Sequence, residues 1–305
     1  MTAADPRAEA REDLEPGTLW ARVRERSRDA LARGALAPID TEEHVVPEAG
    51  IPFSVRRIST LRQKGEALEA QERSGVNPFL PPDAALVVAG LSDTHLAVLN
   101  RFPVMRHHLL VLTRGFEHQA LPLTAADLHA LARCLAEIDG FAFYNSSPEA
   151  GASQPHRHLQ LIPFPLGRGP EPTPVERALA PILQDPGRGA LPVFPFRHAV
   201  APLPEAAWED PACVRHAAEA LRLGYRALAA RVGLRLTAGE PTAPYNLLAT
   251  RRWMMLVPRR REHVEGVSVN ALAFAGSFLV EDRQGLEVVR RRGPIAALRA
   301  VAYEV

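Results

Sequence analysis

His156, His158 and Gln160 stand at alternate positions in the run Gly151-Ala152-Ser153-Gln154-Pro155-His156-Arg157-His158-Leu159-Gln160, which continues into apolar Leu161 and Ile162. The alternation and the apolar tail predict a strand, in which successive side chains point to opposite faces. His156, His158, Gln160 and Ile162 then share one face, and Arg157, Leu159 and Leu161 the other. Neighbours in that row are about 7 Å apart, at about 3.3 Å of rise per residue. A neutral imidazole whose second ring nitrogen is held as N–H keeps one lone pair for attack on phosphorus near neutral pH. A carboxamide beside it donates to a phosphoryl oxygen without bringing a titratable proton. The small polar residues Gly151 to Gln154 suit a turn whose backbone N–H groups face phosphates. Two histidines at i and i+2 could equally be metal ligands or packed side chains, and the spacing alone leaves those readings open.

Elements able to position this row lie on both sides of it. Residues 84–89, 94–100 and 109–113 are β-rich apolar runs separated by Gly90-Leu91-Ser92-Asp93 and by residues 101–108, the pattern of antiparallel neighbours. Thr124, with Asp127 three residues on, caps a helix carrying Leu128, Leu131, Leu135 and Ile138 on one face, with Gly140 as its stop. Strands over 141–145 and 156–164 complete an α+β layer arrangement. Upstream, 17–33 reads as an amphipathic helix, 45–58 as a short extended segment and 59–75 as a polar loop. Downstream, 163–174 is rich in Pro and Gly and reads as a linker. Thr173, Pro174 and Glu176 fit the N-cap, N1 and N3 positions of a short helix, and Asp210-Pro211 the start of a long one ended by Gly233. Residues 245–250 and 253–257 form a predicted hairpin, and 295–302 a final helix.

The 305 residues are 47% hydrophobic and 23% charged, with a net charge of +1, an ordinary balance that favours neither a nucleic-acid nor a membrane partner. Cys134 and Cys213 are too few and too far apart for a metal or disulfide framework, and a charged N-terminus without an apolar core makes the cytoplasm the expected compartment. Lys64 is the only lysine among 36 basic residues, which suggests a site where a compact ammonium is wanted, or a chance survivor in an exposed loop. His107-His108 reads as a strand start rather than a metal pair, and Arg259-Arg260-Arg261 and Arg290-Arg291-Arg292 read as solvated faces. Trp253, Met254 and Met255 read as core.

The decamer resembles the His-x-His-x-Gln strand of the histidine-triad and galactose-1-phosphate-uridylyltransferase-like superfamily, and in particular the diadenosine tetraphosphate (Ap4A) phosphorylase, or ATP adenylyltransferase, family. Asn77-Pro78-Phe79, Leu99-Asn100-Arg101-Phe102-Pro103-Val104, residues 107–113, Tyr144-Asn145, residues 244–254 and residues 269–276 fit the same family in order and spacing. The resemblance implies a histidine-triad-like catalytic region over residues 1–165 and an adenylyltransferase region over 175–305 packed on it. It implies that His158 is the nucleophile, that His156 fixes its tautomer through backbone carbonyl or ring, and that Gln160 bonds the transferred phosphoryl group. Lys64, Asn100, Arg101, Asn145, Gly151, Ala152, Ser153, Gln154, Asn270, Ala271 and Leu272 match its substrate-binding positions. Ser277 and Glu281 depart from the family's Met and Lys, so binding is not carried onto Glu281.

The implied activity is phosphorolysis of Ap4A to ATP and ADP through adenylyl-His158, with Mg²⁺ carried by the polyphosphate and no metal site in the protein. The alternatives are a dinucleoside polyphosphate hydrolase, a nucleotidylyltransferase using adenylyl sulfate or a sugar phosphate, and a nucleotide sensor without turnover. The substrates are then an adenine dinucleoside polyphosphate and inorganic phosphate, and no sequence feature specifies an oligomeric state.

Overall fold

A computed structural model describes residues 14–59, 77–209 and 214–305. Its centre is an antiparallel sheet of eight strands. In chain order they are β3 (Val87–Gly90), β4 (His95–Leu99), β5 (Leu109–Thr113), β6 (Gly140–Asn145), β7 (His158–Pro163), β8 (Ala199–Pro202), β9 (Tyr245–Ala249) and β10 (Trp253–Pro258). Their spatial order is β3-β4-β5-β7-β6-β9-β10-β8, so β7, which carries His158 and Gln160, lies inside the sheet between β5 and β6. The strand starts at His158 rather than at His156, which instead makes an isolated bridge to His118. The β6–β9 pairing, Ala142 opposite Ala249 through Asn145 opposite Asn246, joins strands from the two halves of the chain in one ladder.

Over β7, β6, β9, β10 and β8 each face of the sheet packs into its own core. On one face Leu159, Leu161, Ala142, Tyr144, Leu247 and Met254 pack with helices α1 (Leu19–Ala32), α2 (Ala125–Glu137) and α4 (Arg215–Arg231). On the other, Phe141, Phe143, Ile162, Leu248, Trp253 and Met255 meet a three-stranded sheet and the helices around it. Alternation along β7 therefore sends Leu159 and Leu161 to the first core and Ile162, with the histidine row, towards the second.

The small sheet corrects the reading of 45–58 as one short extended segment. It comprises β1 (Thr41–Glu48), β2 (Ile51–Ile58) and β13 (Ser277–Val280), with β13 parallel to β2. Ala49 and Gly50 both have positive φ, 48° and 79°, and so make the two-residue turn of the β1–β2 hairpin. Asn and Asp, rather than Ala, are the usual partners of Gly in such a turn, which hid it from sequence reading.

Helix α2 begins as predicted: Thr124 accepts from the Asp127 N–H at 3.2 Å, and Asp127 reaches back to the Thr124 N–H at 2.6 Å. It ends at Glu137, with Ile138 as C-cap; Gly140 opens β6. Helix α3 (Glu176–Gln184) takes Val175 as its N-cap, not Thr173, whose hydroxyl instead bonds the Glu176 carboxylate at 2.8 Å. The start predicted at Asp210-Pro211 lies outside the described residues. Helices α5 (Ala271–Phe274), α6 (Arg283–Arg292) and α7 (Pro294–Val301) complete the chain, and two short strands, β11 (His263–Val264) and β12 (Val267–Ser268), pair beside them. Among the described residues no helix is long and apolar enough to cross a membrane.

Candidate active site

His158 is 4% exposed, and its Nδ1 lies 2.8 Å from the carbonyl oxygen of His156. A carbonyl only accepts, so Nδ1 carries the proton and Nε2 keeps its lone pair. Burial pushes the His158 imidazole down to about 4, against the opposing effect of that carbonyl, so the ring is neutral at physiological pH. The His156 carbonyl, rather than its ring, is the tautomer-fixing partner. That ring is fully buried and committed elsewhere: Nε2 lies 2.8 Å from the Thr113 carbonyl and Nδ1 lies 2.9 Å from Asn77 Nδ2. Phe79 closes over both imidazoles, with ring centroids 5.8 Å from His156 and 5.4 Å from His158.

The backbone at His158 is held by a residue that the sequence did not single out. Beyond Phe143 opposite Gln160 the β6–β7 ladder stops. The carboxamide of Gln119 takes over: Oε1 accepts from His158 N–H at 2.8 Å, and Nε2 donates to the carbonyls of Asn145 at 2.8 Å and His158 at 3.2 Å. Nothing in the pattern around Gln119 marks it, because a lone glutamine in a loop has no periodicity to read. On the opposite face Arg157 is buried against Asp127 at 2.9 Å, and Asp127 bonds His95 Nε2 at 3.0 Å, pinning the strand to α2 and β4.

Gln160 stands two residues beyond His158, partly exposed, with Oε1 2.9 Å from Nε2 of His108. His108 is buried, which holds its imidazole at about 4, with the Gln160 bond opposing and His158 adding to the shift. Read from the sequence as a strand start, His108 precedes β5 and is joined to the row through this bond. Asn100 follows it in the same network, Nδ2 3.2 Å from His108 Nδ1, while Arg101 is exposed and lies over the Phe102 ring at 5.6 Å.

The predicted turn and the Asn270 segment come together. Gly151 has φ +88°, and a Cβ there would meet Asn270 Cβ at 2.8 Å, so the two backbones touch. Asn145, 2% exposed, ties them: its Oδ1 accepts from Ala271 N–H at 3.1 Å and from Asn246 Nδ2 at 2.8 Å, and its Nδ2 lies 3.4 Å from the Gly151 carbonyl. Asn270 Oδ1 accepts from Leu272 N–H at 3.0 Å. Part of the nest expected from Gly151 to Gln154 closes on itself, since Gly151 N–H bonds the Pro148 carbonyl at 2.8 Å and Ala152 N–H the Ser147 carbonyl at 2.9 Å. The turn's open amides among the described residues are those of Ser153 and Gln154. Lys64 lies outside the described residues.

Arg259 overturns its reading as part of a solvated basic run. It is fully buried, its guanidinium 5.2 Å from the Phe274 ring centroid, with Nη2 2.7 Å from the Val269 carbonyl and Nη1 3.4 Å from the Ala150 carbonyl. It thus crosslinks the carbonyls behind the Gly151 and Asn270 backbones, and a run of three arginines gave no sign that its first member points inward. Ser277, one of the two departures from the family pattern, is a buried residue at the start of β13, and Glu281 is exposed just after that strand. Among the described residues no group of three or more His, Cys, Asp or Glu side chains is arranged to hold a metal.

A family model of the Ap4A phosphorylase N-terminal domain matches residues 9–181, and one of the ATP adenylyltransferase C-terminal domain matches residues 192–304. The chain belongs to the Ap4A phosphorylase family. Among that family's curated members, diadenosine 5′,5‴-P1,P4-tetraphosphate phosphorylase 2 of Saccharomyces cerevisiae is 28% identical over 273 residues, 79% of this chain and 80% of the yeast one. Protein APA1 of the same yeast is 26% identical over 295 residues, 88% of each chain. The crystal structure of yeast Ap4A phosphorylase Apa2 in complex with Ap4A has the same fold, with a TM-score of 0.69 at 22% identity over 95% of this chain and 99% of that one. The neutral, desolvated imidazole of His158 is chemically suited to nucleotidyl transfer.

Proposed function

We propose that the chain phosphorolyses Ap4A, giving ATP and ADP. The observation that carries this reading is the 2.8 Å contact between His158 Nδ1 and the His156 carbonyl, which leaves a neutral Nε2 free in a member of this family. In the first half-reaction Nε2 attacks an α-phosphorus of Ap4A. The bond from that phosphorus to its bridging oxygen breaks, and ATP leaves with the electron pair. The adenylyl group is then joined to an imidazolium whose positive charge the His156 carbonyl stabilises through Nδ1–H. In the second half-reaction an oxygen of inorganic phosphate attacks the same phosphorus, the P–N bond breaks, and ADP departs from a regenerated neutral His158.

Gln160 offers no proton to a leaving group and no base to water, because a carboxamide does not titrate. This supports phosphate over water as the acceptor. Ser153, Gln154 and the Asn270–Leu272 segment bind the nucleotide phosphates and sugar in this reading, with Asn145 and Gly151 holding the two segments together; Lys64 and Arg101 supply positive charge. Mg²⁺ enters on the polyphosphate rather than in a protein cage. Residues 1–165 carry the chemistry and residues 175–305 complete the binding wall, in a cytoplasmic enzyme.

Incubating the purified protein with Ap4A, with and without inorganic phosphate, and separating the nucleotides tests the reading. ATP plus ADP formed only with phosphate supports it. ATP plus AMP without phosphate would identify a hydrolase and refute the argument from Gln160.

A further inference from the structure

Two Asn-x-Phe segments, Asn77-Pro78-Phe79 and Asn100-Arg101-Phe102, act on two different histidines. In the first, Phe79 N–H donates to Asn77 Oδ1 at 3.0 Å, and Asn77 Nδ2 lies 2.9 Å from His156 Nδ1. In the second, Phe102 N–H donates to Asn100 Oδ1 at 3.2 Å, and Asn100 Nδ2 lies 3.2 Å from His108 Nδ1. A backbone N–H can only donate, so each asparagine oxygen is committed as an acceptor and each NH2 group faces an imidazole. The ring nitrogen it meets must accept, which leaves the single proton of a neutral ring on Nε2.

The two relays end differently. From His156 the Nε2 proton goes to the Thr113 carbonyl at 2.8 Å, a scaffold group. From His108 it goes to Gln160 Oε1 at 2.9 Å, on the side chain next to His158 in the row. A free glutamine amide turns by half a rotation at little cost, and in the wrong orientation it would present oxygen to a phosphoryl oxygen. With Oε1 engaged by His108, the amide's NH2 edge is the one left over. Burial keeps His108 neutral, so this polarity holds at physiological pH, and Phe143, with its ring centroid 5.9 Å away, packs against the imidazole.

We propose that His108, set by Asn100, is a positioning residue that fixes the flip state of Gln160, so that its NH2 edge meets the phosphoryl group transferred by His158. The inference rests on the nucleotidyl-transfer reading above and adds to it the origin of the amide's orientation.

The test is a double-mutant cycle on the rate of Ap4A cleavage, with His108→Ala, Gln160→Ala and the pair, and with the Tm of each variant recorded. His108→Ala should lower kcat about tenfold with a smaller change in KM, and should cost less than about twofold when Gln160 is already alanine. Two replacements separate positioning from packing. His108→Gln keeps a donor near the place of Nε2 and should retain more activity than His108→Asn, whose amide reaches only the place of Nδ1. An undiminished effect of His108→Ala in the Gln160→Ala background, or equal activity of the Gln and Asn variants, would overturn the proposal. Multiple turnovers to ATP plus AMP without phosphate in the wild type would refute phosphorolysis instead, and the coupling would still be read from substrate consumption.

Discussion

Lowering the pH should leave the first half-reaction intact well below the range in which an ordinary histidine nucleophile is lost. Burial holds His158 at about 4 instead of the usual 6.5. At about pH 5.5 a ring titrating at 6.5 is about 9% neutral, whereas one titrating near 4 is about 97% neutral, a roughly tenfold difference in competent enzyme. The assay is the burst of ATP released from Ap4A in the absence of phosphate, under single-turnover conditions, which removes the ionisation of the acceptor from the profile. Stability has to be followed in parallel. His158 and His108 both titrate near 4 when folded and near 6.5 when unfolded, so the unfolded chain binds protons that the folded one refuses throughout that window. Stability contributed by their neutral burial is complete above about pH 6.5 and declines as pH falls towards about 4, by up to roughly 3 kcal/mol for each ring. The burst rate per folded enzyme should therefore be flat from about pH 7.5 to about 5 while the Tm falls. A burst rate that halves near pH 6.5 with the Tm unchanged would refute the desolvated-nucleophile argument.

Arg157→Met leaves Asp127 buried without its guanidinium partner and should destabilise the fold by about 3–5 kcal/mol, read by denaturant titration; a loss below about 1 kcal/mol would mean that His95 and the α2 cap suffice for Asp127. Gly151→Ala places a Cβ 2.8 Å from Asn270 Cβ at a φ of +88°. It should cost about 1–3 kcal/mol and raise the KM for Ap4A by separating the turn from the Asn270 segment, and an unchanged KM would dissociate that contact from binding. Gln160→His introduces a titratable group and should raise ATP plus AMP formation in phosphate-free buffer above the wild-type level; no rise would show that something other than the amide excludes water.

Much of the site was legible because alternation is a strong signal. His158 and Gln160 fall on one face of β7, with His156 two residues before its start, and the strands and helix around them follow from apolar runs and from the Thr124–Asp127 cap. What stayed hidden were residues whose work depends on distant partners. Gln119 substitutes for a missing ladder rung 39 residues away, and His108 reaches Gln160 across 52 residues, separations at which no local period operates. Arg259 was misread because charge runs predict exposure only while carbonyls do not converge on one guanidinium, as those of Ala150, Val269 and Val301 do here. The Asn-x-Phe repeat is visible in the sequence, but its meaning is a hydrogen-bond polarity that only the geometry supplies.

The most direct test of the central claim is to look for the covalent intermediate itself. The protein would be incubated with Ap4A in phosphate-free buffer, digested under mildly alkaline conditions that spare a phosphorus–nitrogen bond, and its peptides mapped by mass spectrometry. One adenylyl group is expected on the peptide containing His158, absent from His158→Ala and discharged as ADP when phosphate is added. Ap4A consumed with no adenylylated peptide, or with the label on another residue, would contradict the central claim.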